Sequence, residues 1–191
     1  MKIYLTEKIG NPELFTGRRN ELTFFLDWCE GVKGQYSKST AILSRRKTGK
    51  TALLQRLYNI IFERNDGLIP FYIEVKEGRT YMIDFCCEFL FTFAYQYLAY
   101  KTRKKTYLLL AGQTTFAKAI QAARAEGYDH LAALIETVET LIKEGRNDSV
   151  WLTVRDAPRR IADLYDERIV QIIDEFQYLN SEIYRDQNTT V

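Results

Sequence analysis

A single histidine in 191 residues, His130, leaves no second imidazole with which to build a metal site or a proton relay. The three cysteines, Cys29, Cys86 and Cys87, contain no C-x-x-C pair, and neighbours in sequence cannot readily close on one metal or on each other. They read as reduced, buried thiols. No stretch approaches the roughly 18 to 20 apolar residues of a spanning helix, and residues 1–10 carry two lysines without an apolar run of signal-peptide length. Neither export nor membrane insertion is expected, and the cytoplasm is the expected compartment. An excess of one charge is missing too: 27 basic against 25 acidic residues leave a formal charge of +2, which gives no global attraction for nucleic acid. The one dense basic run, KTRKK at 101–105, reads first as a solvated helix end whose cations suit the C-terminal dipole. Nucleic acid stays possible as a partner but is not indicated. There is no internal repeat and no low-complexity segment.

What is present is a globular balance, 46% hydrophobic and 27% charged, in a length that suits one domain with its own core. Residues 19–32 place Leu22, Phe25, Leu26 and Cys29 on one helical face. A polar turn follows, and the short apolar run Ala41, Ile42, Leu43 predicts a buried parallel strand. The leucines at 53, 54 and 57 with Ile60 and Ile61 predict a helix over 50–64. LIPFYIEV at 68–75, bounded by Asp66-Gly67 and Gly78, predicts a second strand. Residues 81–105 have no breaker and predict a long helix whose many aromatics pack a core. Further helices are expected at 113–125, 129–143 and 148–165, and a last strand, RIVQIID, at 168–174. The expected fold is α/β, a P-loop-like three-layer parallel sheet with a helical insertion, about 81–165, between the second and the last strand.

Two motifs carry chemistry. Residues 44–51 read S-R-R-K-T-G-K-T, which matches the phosphate-binding pattern G-x-x-x-x-G-K-[ST] except for Ser44 in place of the first glycine. Gly49 lets backbone amides approach a phosphate, and the helix start adds its dipole. Lys50 neutralises β- and γ-phosphate charge, and the Thr51 hydroxyl suits a Mg²⁺ ligand. The candidate nucleotide-binding residues of this loop are Ser44, Arg45, Arg46, Lys47, Thr48, Gly49, Lys50, Thr51 and Ala52. The second motif is the acidic pair Asp174-Glu175 at the end of the last strand. Asp174 is the candidate second metal-side group, acting through water, and Glu175 the candidate general base for an attacking water. With Lys50, Glu175 forms the expected catalytic pair. The implied cofactors are ATP and Mg²⁺; no NKxD-type guanine-reading motif is visible.

With both motifs placed, the chain resembles the AAA+-like ATPases common in archaea and also found in bacteria, which lie close to the STAND class of signalling NTPases. The likeness rests on residues 15–22 (FTGRRNEL), on LSRRKTGKTALLQRL and on RIVQIIDEFQYLN at 168–180. It implies that Phe15, Gly17 and Arg18 lie near the adenine and that Gln177 acts as a nucleotide sensor or contacts the next segment. It also implies two further strands, a polar sensor, an arginine finger and a helical lid after the acidic strand, none of which fits before Val191. The expectation is therefore a fragment of a longer protein, or a chain completed by self-association or by a partner chain or domain. Three functions stay open on these residues: an ATP-hydrolysing module of a larger regulatory or mechanical ATPase, a nucleotide-binding module with little or no hydrolysis, and a P-loop kinase for a small acceptor.

Overall fold

The run Leu68–Glu74 is apolar at nearly every position, so it suits a strand buried on both faces, and it forms strand β1 with six successive buried residues. The computed structural model describes residues 4–8, 17–36, 38–43, 45, 47–186 and 189–190. In chain order, helix α1 is Arg19–Lys33, α2 is Lys50–Arg64, then come β1 and the short β2, Thr80–Tyr81. A helical block follows: α3 (Met82–Thr102), α4 (Phe116–Ala125), α5 (Asp129–Lys143), α6 (Asn147–Arg155) and α7 (Ala157–Tyr165). The chain returns in β3, Arg168–Asp174, and continues through α8 (Tyr178–Ser181), β4 (Ile183–Asp186) and β5 (Thr189–Thr190).

β1 and β3 pair in parallel from Leu68 against Arg168 to Glu74 against Asp174. Both strands therefore end together, and their last carboxylates are neighbours. A second small sheet has β4 between β2, parallel to it, and β5, antiparallel. The architecture is mixed α/β with helices predominating. Its core centres on α3, which buries Phe85, Phe89, Phe93, Tyr97 and nine further residues besides the polar Gln96. Phe71 of β1 meets the rings of Phe89 and Phe93 at 5.0 and 5.3 Å, and Trp151 of α6 meets Phe85 at 5.7 Å. Gln96 is buried for a specific reason: its Oε1 accepts from the Tyr72 amide and its Nε2 donates to the Tyr72 carbonyl, both at 2.8 Å. One side-chain amide thus takes the place of a neighbouring strand at the outer edge of β1.

Several sequence expectations need correction. Residues 41–43 form no strand; they are unpaired, and Leu43 is 92% exposed. A strand persists through bonds to a neighbour, and neither β1 nor β3 pairs with this segment. The expected helix over 148–165 is two helices, with Pro158 in the first turn of α7, where its missing N–H costs nothing. The helix expected from 113 starts at Phe116 behind the cap of Thr115, whose hydroxyl accepts from the Lys118 amide at 3.4 Å. Residues Lys105–Leu109 and Ala111–Gln113 are 3-10 turns.

The basic run 101–105 stays at the surface, as expected of a helix end, but its cations find partners within the protein. Lys101 pairs with Glu167, and Lys104 with Glu126 at 2.6 Å. Arg103 lies over the rings of Phe62, Tyr4 and Tyr100, and Lys105 over Tyr4. These cations serve internal contacts. Burial also pushes the thiols up, Cys86 to about 12 and Cys29 and Cys87 to about 11, which fits inert cysteines. Among the described residues no helix is long and apolar enough to cross a membrane.

Candidate functional site

Helix α2 begins in a way that leaves its first amides available. Most helices cap that turn with Ser, Thr, Asp or Asn and favour acidic residues within it. Here the cap is Gly49 at φ 82°, no side chain caps it, and the first turn has no acidic residue but does have Lys50. A Cβ at position 49 would meet nothing within 4 Å, so glycine is required there for its left-handed backbone and not for space. Lys47, also left-handed at φ 61°, completes a loop curled around the helix start.

This loop lines an open cleft of about 580 Å³. Lys47, Thr48, Gly49, Lys50, Thr51 and Ala52 form one wall; Lys8, Glu74, Val75, Glu77, Glu175 and Tyr178 form the rest. Residues far apart in sequence, the loop and the end of β3, thus meet. A second cleft of similar size, about 590 Å³, lies between α1, α7 and the open edge of β3 and holds none of the loop.

Asp174 is not among the residues that line the first cleft; it directly precedes the lining Glu175 and is 3% exposed. Its Oδ1 accepts from the Glu175 amide at 3.0 Å and its Oδ2 from the Tyr72 hydroxyl at 3.1 Å. Glu175 has φ 54°, a left-handed conformation that costs a non-glycine residue on the order of 1–3 kcal/mol and tends to occur where a side chain must be aimed. Its Oε2 accepts from the Gln177 side-chain amide. Gln177 is exposed and its side-chain amide bonds Glu175 rather than the loop. Burial, with the charges of Asp174 and Glu74 beside it, pushes the Tyr72 phenol far up, so it stays a proton donor.

The remaining predicted residues fall in three groups. Arg18 donates to the Thr48 carbonyl and pairs with Glu21 at 3.3 Å, so it braces the loop from outside the cleft. Gly17 is exposed at φ 80° and does not line the cleft; Arg45 is exposed, its carbonyl accepting from the Thr48 hydroxyl at 2.9 Å. Phe15, Ser44 and Arg46 lie outside the described residues.

Sequence reasoning missed the N-terminal segment. Asn59, fully buried on α2, accepts from the amides of Tyr4 and Leu5 and donates to the Leu5 carbonyl and Glu7. Glu7 in turn pairs with Arg56 at 2.9 Å. This brings Lys8 to the cleft, where its ammonium meets Glu74 at 2.6 Å. The Glu74 hydrogen bond holds its pKa above the usual lysine value, with Asp174 and Glu175 adding to the effect. The available signal was Gln55, Arg56 and Asn59, polar residues interrupting an otherwise apolar helix.

Among the described residues no three His, Cys, Asp or Glu side chains converge as a metal site on their own. The residues do fit a divalent cation that brings its own oxygen ligands: Thr51 and Glu175 line the cleft, and the buried Asp174 directly precedes Glu175. No family model, curated protein or solved structure matches the chain.

Proposed function

We propose that this chain binds ATP with Mg²⁺ through a P-loop and hydrolyses it, as the nucleotide-binding part of a larger ATPase of the AAA+/STAND-like kind that its motifs resemble. The observation that carries the reading is the meeting of the 47–52 loop with the acidic end of β3 in one cleft. The uncapped amides at the start of α2 suit phosphate oxygens, and the Lys50 ammonium suits their charge. Thr51 and Asp174 would hold the Mg²⁺, which neutralises charge across the phosphate oxygens when bound. Glu175, aimed by its unusual backbone, accepts a proton from the attacking water. In this reading β1 and β3 are two strands of a three-layer P-loop sheet.

Titration calorimetry with ATP tests the binding step. Lys50→Ala should lose a charge-assisted contact worth about 1.5–3 kcal/mol, tenfold or more in affinity. Unchanged affinity would end the P-loop reading. Glu175→Gln should bind ATP as the parent does and slow single-turnover hydrolysis by about 10² to 10⁴; a parental rate would move the base role elsewhere.

The sheet also supports association with a second copy, a partner chain or another domain. The Val75 amide donates to the Asp174 carbonyl, so alternation along β3 turns the backbone groups of residues 169, 171 and 173 to the outer edge. Among the described residues that edge meets no strand. Light scattering, with amide exchange at those three positions, tests whether something covers it.

A further inference from the structure

The Tyr72 hydroxyl lies between two elements that the proposed reading requires to act together. On one side is Asp174 Oδ2 at 3.1 Å. On the other is Gln55, whose Nε2 donates to the same hydroxyl at 3.5 Å. A hydroxyl that accepts from Gln55 has its own proton free to give to Asp174, so the chain of donors runs from α2 to β3. Gln55 stands four residues after Thr51, one turn along the same helix face. Its Oε1 is occupied by the Lys8 amide at 2.7 Å, which fixes which end of the side-chain amide faces Tyr72. The Tyr72 backbone is itself clamped by Gln96. Every member of this path is buried, where a polar group without its partner is costly.

We infer that Tyr72 is a positioning residue: oriented by Gln55 from the loop-bearing helix, its hydroxyl holds the Asp174 carboxylate in register with Thr51 for the cation that accompanies the nucleotide. The inference rests on the nucleotide reading above. Each oxygen of Asp174 then has one fixed donor, the Glu175 amide for Oδ1 and the Tyr72 phenol for Oδ2, and the carboxylate is held against rotation. Loss of such an outer partner commonly costs about 10- to 100-fold in metal affinity.

The test is ATP affinity of the full chain by calorimetry, once in EDTA and once in excess Mg²⁺, for the parent and Tyr72→Phe. The phenylalanine keeps the ring in the core and removes only the hydroxyl. Expected is an unchanged affinity in EDTA and a gain on adding Mg²⁺ that is about tenfold or more below the parent's. Gln55→Glu, which keeps the acceptor for the Lys8 amide but loses the donor, should reduce the gain by less. A full Mg²⁺ gain in Tyr72→Phe overturns the inference and leaves the nucleotide reading standing. So do equal losses with and without Mg²⁺, accompanied by a lowered melting temperature, since they mark a merely structural tyrosine. A parent chain without ATP affinity in either buffer overturns the nucleotide reading, and this inference with it.

Discussion

At the outer edge of β1 the Tyr72 backbone is bonded in both directions by the Gln96 side chain of α3, while the outer edge of β3 meets no strand among the described residues. The burial follows the same contrast. β1 is buried on both faces, whereas in β3 only Val170, Ile172 and Asp174 are buried, and Gln171 is exposed. An unpaired strand edge is a template for another strand, and proteins close such edges unless they use them. At one edge a dedicated buried amide bonds the Tyr72 backbone in both directions. The other is bordered by α1 and α7 but left open along a cleft.

Gln96→Leu should sharpen this contrast most. It keeps the side chain near its size but leaves the Tyr72 N–H and C=O buried without partners, at about 1–3 kcal/mol for each group. Urea denaturation should show a total loss of roughly 2–6 kcal/mol. A neutral result would mean that the β1 edge does not depend on this amide. Gly49→Ala should act next in size, costing about 1–2 kcal/mol because alanine resists the left-handed backbone. Its signature is weaker ATP binding with little change in the melting of the helical block. An equal loss in both would show that the loop is packed into the core after all. Gln171→Leu, on the open edge, should stay within about 0.5 kcal/mol of the parent. A larger destabilisation of the isolated chain would break the comparison, since it would reveal a contact already made there.

The local backbone around the site could be read from residues alone. Gly49-Lys50-Thr51 requires a left-handed cap and a helix start, and α2 begins at Lys50 as the periodicity predicts. RIVQIID predicts a strand that ends at Asp174, and β3 ends there. Gln96, Gln55 and Tyr72 were not legible in their roles. A glutamine within the aromatic run of α3 looks like an interruption until the strand whose edge it bonds is known. The pairing of Lys8 with Glu74 was equally hidden, because it depends on Asn59 binding a segment more than fifty positions away.

The failure at residues 41–43 has a plain physical cause. Apolar composition says that a segment is able to form a strand, but the hydrogen bonds that make it one belong to a neighbour. Helices carry their bonds within themselves, and for that reason α1, α2, α3 and α5 lie close to where the spacing of apolar residues puts them. Sequence by itself determined most of the helices, the helix start after Gly49 and the acidic strand end. Only the tertiary structure decided that Glu74 stands beside Asp174, that a side-chain amide bonds one sheet edge and no described strand the other, and that a tyrosine from β1 holds the carboxylate of β3. Each of these depends on a partner far away in the chain, and spacing along the chain does not encode which partner that is.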